Sequence, residues 1–353
     1  MADTDEARLL HGRDAPKRAT MLELVFDVVY VAAFALVSMR LAANLTWSGA
    51  GEILVLLMAL WWTWTTTALL TDFYDPEQSG IQIIVALTML GVALMVVAIP
   101  FAFSTHPIVF AGAYVGIHLV REVLLATLLR GNYHEQKRPI RFLFWFSISG
   151  IAWIAGAILD TPLRAVLWTV AVVIDYLAGA LRYPTPRRDR IPIEQYEQAS
   201  PHIAERYQQV IVLTLGDLIL VPALRFASHD FTLARTAAFL MAFGATLLFW
   251  QIFVFATAPL AATTTQPGRI GARATRLAPF THLVTIAGVV AVSAGAELAV
   301  VRPTGPTPTS WAYVILGGAA LFVLSRTIFE YAILGPAGVA DARPGSGPDA
   351  SRR

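Results

Sequence analysis

Carboxylates, imidazoles and a guanidinium recur in this chain among neighbours that are almost all apolar. The stretch "LELVFDVVYVA", residues 22–32, carries Glu23 and Asp27 one helical turn apart. Glu23, Asp27, Tyr30 and Phe34 follow i, i+4, i+7 and i+11, which is one stripe of a helix. A second stretch, "SPHIAERYQQVIVLTLGD" (200–217), places His202, Arg206, Gln209 and Asp217 on one face, with Glu205 and Gly216 at its edge. His118 with Arg121 and Glu122, Asp175, His282 with Glu297, and Arg326 with Glu330 are further groups of this kind. In such surroundings carboxylates and imidazoles suit a proton relay or a cation site, since each can exchange a proton or share lone pairs with a cation. Simpler readings stand beside these. Glu23 can complement a helix N-terminal dipole, Arg206 can neutralise Glu23 or Asp27, and Arg326 with Glu330 is an intrahelical ion pair at i, i+4.

Composition dictates what positions these groups. Of 353 residues, 56% are hydrophobic and 14% charged, where a soluble domain carries about a quarter charged. Mean hydropathy is +0.61. The expected fold is an all-α polytopic integral membrane protein. The absence of Cys excludes disulfides, thiolate metal sites and a catalytic thiol. No P-loop, GxGxxG, GxSxG, kinase-like set or HExxH occurs, and no two His stand at i, i+3 or i, i+4. Neither a metal, a cofactor nor a nucleic-acid partner is expected, and an enzyme is the less favoured class.

A spanning helix needs roughly 20 apolar residues. Ten spans are predicted, at 21–43, 52–71, 81–104, 107–129, 140–159, 163–182, 202–224, 233–258, 279–301 and 310–334. Polar and Pro-containing stretches such as "TDFYDPEQSG", "RGNYHEQKRP" and "RYPTPRRDRIPIEQYEQASP" separate them. The division expected is an N-terminal tail over 1–20, one transmembrane domain over 21–334, and a disordered C-terminal tail over 335–353. Residues 1–20 lack an apolar signal-peptide core, so the first span is expected to act as its own insertion signal. With ten spans, 18 Lys and Arg fall on the side of the termini and five on the other, Arg40, Arg164, Arg225, Arg235 and Arg302. The positive-inside rule then puts both termini in the cytoplasm. The basic loops are also candidates for contact with anionic lipid headgroups. Asp72 and Asp75, in a loop of that side without Lys or Arg, are candidates for attracting a cation or pairing with a neighbouring basic loop.

Self-comparison predicts an internal repeat. Glu23 aligns with Glu205, Trp62 with Trp250, Gly91 with Gly288 and Arg121 with Arg326, with offsets that lengthen in one order. Spans 1–4 and 7–10 would then be duplicated in parallel, spans 5–6 serving as a linker, with a site near the axis relating the halves.

The motifs resemble a known family. "LELVFDVVYVAA" is similar to the ELFFDLVFV-type signature of the bacterial low temperature requirement protein A family, and "HIAERYQQVIVLTLGD" to its HLxERFGLxxIIxLGE segment. "LWWTWTT…DFYDP", "FWQIF" and "HLVTIAGVVAVSAGAEL" follow in the expected order, so the resemblance covers residues 18–330. Here Asp217 replaces the Glu after Gly216, Gln208 replaces a Gly, and Val25 replaces a Phe. The resemblance implies a bacterial inner-membrane protein and points to Glu23, Phe26, Asp27, His202, Glu205, Arg206, Gly216, Asp217, His282 and Glu297. The family name records growth at low temperature and implies no reaction.

Candidate residues for binding a small solute or ion, or for relaying protons, are therefore Glu23, Asp27, His118, Glu122, Asp175, His202, Glu205, Arg206, Asp217, His282 and Glu297. The leading expectation is a secondary transporter or ion-conducting protein with a polar site between spans 1 and 7. An intramembrane lipid-modifying enzyme using Glu23, His202, Glu205 and Arg206, or a membrane scaffold, are the alternatives.

Overall fold

A computed structural model describes residues 19–186, 190–192, 201–264 and 269–341. Its helices are α1 (Met21–Ala43), α2 (Trp47–Phe73), α3 (Ser79–Ala98, continued by a 3-10 turn over Ile99–Phe101), α4 (Pro107–Leu128), α5 (Tyr133–Ile158) and α6 (Thr161–Ala180). They continue as α7 (Pro201–Leu215), α8 (Asp217–Ala227), α9 (Leu233–Thr264), α10 (Arg269–Val301) and α11 (Thr309–Asp341). No strand occurs among the described residues. Among the described residues ten spans are long and apolar enough to cross a membrane, α7 and α8 together forming the seventh. The outward faces carry Ile83, Leu90, Val97, Ile151 and Val166, all well exposed, the surface that lipid requires of a bundle. The chain is a multi-pass membrane protein whose helices contact the bilayer.

The span boundaries expected at proline need correction. The fifth helix starts at Tyr133, where the Asn132 side chain accepts the N–H of Glu135, and Pro139 lies inside it. Helix α10 likewise starts at Arg269, ahead of the ninth span it carries (Ala274–Val301), and runs through Pro279. Each proline removes one N–H donor from its helix, a loss that helices packed in membranes tolerate. The seventh span is interrupted. Gly216 N–H bonds Leu213 O, three residues back, at 3.0 Å, and Pro222 follows inside α8 with no N–H of its own. The last helix continues to Asp341, past the expected end at 334. The tails at 1–18 and 342–353 lie outside the described residues.

Contact register gives the helix directions. A Cβ on Gly80 would meet Leu128, and one on Gly91 would meet Ile117. As α3 advances, α4 retreats equally, so the two are antiparallel. Thr285 with Ser325, and Gly295 against Ile315, make α10 and α11 antiparallel in the same way. Contacts between the first and seventh spans behave oppositely. Glu23 meets His202, Asp27 meets Arg206 and Ser38 meets Asp217, each pair separated by 179 residues. A constant offset means that these two spans run parallel and side by side.

Helix α2 is the most enclosed span. Trp61 and Trp64 stack at 4.9 Å between ring centroids, and Trp61 Nε1 donates to Pro279 O of α10 at 2.6 Å. The residue pairs aligned in the repeat differ in surroundings. Gly91 and Gly288 each face the following helix closely, but Trp62 is buried while Trp250 is half exposed.

A Cβ on Gly288 would stand 2.6 Å from Gly318 O and 2.8 Å from Phe322 N, both backbone atoms that cannot yield locally. Gly288→Val should therefore destabilise by about 1–3 kcal/mol, the usual cost of overpacking. Gly112, with nothing within 4 Å, is the control. Thermal unfolding in detergent should show a lower Tm for Gly288→Val and an unchanged one for Gly112→Val.

Candidate functional site

The seam between the first and seventh spans begins at the N-terminus of α1. Thr20 caps that helix, accepting the Glu23 N–H, while Glu23 Oε2 accepts the Thr20 N–H at 2.9 Å in a reciprocal capping box. Glu23 faces into the bundle as well. Its Oε1 lies 2.6 Å from Arg206 Nη1, and its Oε2 lies 3.1 Å from His202 Nε2. The dipole reading and the ion-pair reading of Glu23 are thus both realised by one side chain.

Arg206 links the two acids of α1, since its Nη2 donates to Asp27 Oδ1 at 2.7 Å. Asp27 Oδ1 also accepts the Trp64 indole N–H at 2.8 Å, and the guanidinium lies over the Trp64 ring at 5.7 Å. His202 spans Glu23 and Asp72, with Nδ1 3.4 Å from Asp72 Oδ1. Both imidazole contacts are hydrogen bonds when both ring nitrogens carry protons. Glu23, Asp27, His202 and Arg206 are each no more than 2% exposed. These ions are sealed. Tyr74, just beyond α2, is also buried, and burial pushes its hydroxyl up to about 12.

Fifteen residues further along both helices, or roughly 22 Å at 1.5 Å per residue, the seam ends at Asp217. Ser38 donates to Asp217 Oδ2, and Ser293 Oγ donates to the Asp217 backbone carbonyl at 3.1 Å. Asp217 Oδ1 has no donor among the described residues. This carboxylate lies directly after the Gly216 interruption and is 1% exposed.

The remaining candidates form separate groups. On the other side of α2, Arg121 donates to Glu122 at 2.9 Å, to Thr66 at 3.0 Å, to Thr67 at 3.1 Å and to His118 Nδ1 at 3.1 Å. The Tyr114 hydroxyl donates to Asp175 at 2.7 Å, and its ring meets His118 edge-on at 4.5 Å. Glu297 is held by Arg225 Nε at 2.6 Å toward the other end of the bundle. His282 donates from Nδ1 to Ala278 O of its own helix at 3.0 Å and packs against Tyr207. Glu205, grouped by sequence with Glu23 and Arg206, accepts instead from Gln209 on its own helix at 3.1 Å. Asp75 accepts the Glu77 N–H in its own loop. No three His, Asp or Glu side chains converge as a metal site among the described residues.

Sequence reasoning missed Ser38, Ser293 and Trp64. Lone serines in apolar helices carry no periodic signal. The density of Trp and Thr in "WWTWTTT" does stand out, and those residues line both polar groups.

Removing Arg206 would leave two buried carboxylates without their cation, at a cost of about 3–5 kcal/mol. Arg206→Met should therefore be strongly destabilised, and the triple variant Glu23→Gln, Asp27→Asn, Arg206→Met should recover most of the loss. Unfolding titrations in mixed micelles read this directly. Additive losses in the triple variant would contradict the coupling.

Residues 18–342 match the family described as Bacterial low temperature requirement A protein (LtrA). The chain is also 28% identical over 311 residues to an uncharacterised protein, RA0937, of Rhizobium meliloti strain 1021, covering 87% of this chain and 75% of that protein. No solved structure matches. With the family match running from before α1 to the end of α11, this chain belongs to the bacterial low temperature requirement A (LtrA) family.

Proposed function

We propose that the chain is a secondary transporter or ion-conducting protein whose polar path follows the seam between the first and seventh spans. The observation that carries this reading is Asp217. It is a buried carboxylate at an interruption in a spanning helix, with one oxygen unpartnered and no cation bonded to it among the described residues. An unpaired charge at that depth is costly, so this group is suited to taking up a proton or an alkali ion. Interrupted helices bordering binding sites are a recurring device of secondary transporters.

At the other end of the seam, Arg206 joins Glu23 and Asp27 and so acts as the closed gate of this state. Opening requires Arg206 to exchange partners, and Asp72 with His202 offers an alternative anchorage within the same cluster. The 18 to 5 distribution of Lys and Arg supports a cytoplasmic location for the gate end and both termini, in a bacterial inner membrane, with the basic loops near anionic headgroups. A parallel 4+4 repeat is supported by the parallel pairing of the first and seventh spans, and the unlike surroundings of Trp62 and Trp250 count against it.

A scaffold is the second reading, favoured by the sealing of the Glu23–Arg206–Asp27 pairs. A lipid-modifying enzyme is less favoured, because Glu205 does not join Glu23, His202 and Arg206.

Flux in proteoliposomes separates these readings. With an imposed pH or sodium gradient and a panel of protons, alkali cations and small organic solutes, the wild type should show at least one flux well above protein-free liposomes. Asp217→Asn should reduce that flux to background, while the exposed loop variant Glu77→Gln should keep it. Background flux in the wild type for the whole panel would overturn the transport reading.

A further inference from the structure

A cavity of about 420 Å3 opens beside the seam, between α2, α6, α7 and α10, with Ala332 of α11 at its edge. Its rim lies at the gate end of the bundle, where Gly179 and Ala180 end α6 and Tyr183 follows it, Ile203 lies in the first turn of α7 and Thr275 and Arg276 open the ninth span. Its floor reaches Trp62. That residue is eleven positions from the end of α2 at Phe73, or roughly 16 Å along the helix. The Trp62 ring nevertheless reaches Gly179 at the rim, so the cavity is shallow along that wall.

The wall chemistry is selective. Trp62, Tyr183, Tyr207 and Phe280 give it aromatic faces. Trp62 packs on Tyr176 at 4.3 Å and nears Phe280 at 6.3 Å, and Gly179 makes room for it, since a Cβ there would meet the indole at 2.5 Å. The Trp62 N–H is buried, with no acceptor among the described residues. It is closed off from the cavity, which therefore meets the ring and not the donor. The Thr65 hydroxyl is closed off and that of Thr66 is engaged by Trp62 O and Arg121, so Arg276, exposed at the rim, supplies the polarity. No Asp or Glu lines the cavity among the described residues. Flat aromatic walls and a cationic rim, with no carboxylate among the described residues, favour one kind of occupant.

We propose that this cavity binds a small amphipathic organic anion, its flat apolar part held between Trp62, Phe280 and Tyr207 and its anionic group toward Arg276. Two wall residues connect it to the charged networks. Tyr207 follows Arg206 and packs edge-on against Trp64, the donor to Asp27, with centroids 5.2 Å apart. Thr66 accepts from Arg121 at 3.0 Å. An occupant pressing on Tyr207 would therefore act on the gate of the seam. As a solute for transport the anion rests on the reading proposed above, whereas its binding is measured with no gradient and no flux.

The test uses the full chain in phosphatidylcholine nanodiscs with radiolabelled 2-naphthoate as probe, and neutral 2-naphthamide and cationic 2-naphthylmethylamine as comparisons. Wild type should bind naphthoate saturably and prefer it to both analogues. Arg276→Gln should lower the preference for anion over neutral analogue by about three- to five-fold, the range of an exposed charge contact. Trp62→Leu, which removes the aromatic face, should weaken naphthoate by about five-fold. Ala180→Trp, filling the rim from an exposed position, should abolish binding while leaving the melting temperature unchanged. Repeating the titration in phosphatidylglycerol nanodiscs identifies the source of the anion: displacement assigns the cavity to an anionic lipid, and undiminished binding assigns it to a free solute. Naphthoate binding no greater than in empty nanodiscs, equal binding of the three probes, or undiminished binding by a folded Ala180→Trp would each overturn the proposal. Binding without flux would remove the transport reading alone. Flux without binding would remove this one.

Discussion

One guanidinium holds this bundle to its register. Arg206 lies between Glu23 and Asp27, with both contacts under 3 Å and all three side chains cut off from solvent. In a bilayer such ions find no water to fall back on, so the helices bearing them must stay together and in one axial position. A slip of one residue between the first and seventh spans would separate His202 from Glu23, Arg206 from Asp27 and Asp217 from Ser38 together. The offset of 179 residues shared by all three contacts expresses this constraint.

Helix α2 follows from the same constraint. It supplies Trp64 to Asp27 on one side and Thr66 and Thr67 to Arg121 on the other. Two polar groups are thereby separated by a single aromatic helix, and the stacked Trp61 and Trp64 rings fill the space between seam and cavity with rigid surface instead of flexible side chains. Tyr207 belongs to both, facing Trp64 and lining the cavity. Stiff packing of this kind transmits a displacement better than it absorbs one.

Much of this was legible in the sequence, and the limits of legibility are physical. Hydropathy found the ten spans because a membrane demands length and apolarity of each. The stripe through Glu23 and Asp27, with Arg206 as partner, followed from helical spacing and the rule that buried charges pair. Helices α5 and α10 run on through Pro139 and Pro279, beside which the expected spans begin, since proline interrupts a water-exposed helix more reliably than one packed among neighbours. Glu205 stands only at the edge of the face that carries Arg206, one residue along a helix being 100° around it, and it turns to Gln209. Alignment of Glu23 with Glu205 implied an offset of 182, three residues from the contact register; resemblance between segments does not report which atoms meet. The Ser38 and Ser293 contacts and the interruption at Gly216 depend on three chains converging, which no local pattern encodes.

The parallel pairing of the first and seventh spans carries a consequence for synthesis. Glu23 and Asp27 leave the ribosome 179 residues ahead of His202 and Arg206. At about 5–20 residues per second the first span waits roughly 10–35 s for its counter-charge. During that interval it must hold two carboxylates, one near the headgroups and one a turn deeper, without their cation. Thr20 already occupies one oxygen of Glu23 through the capping box, and Trp64 reaches Asp27 as soon as the second span is made. The neighbours that decorate the finished ion cluster are thus also, in order of appearance, the custodians of its unfinished state.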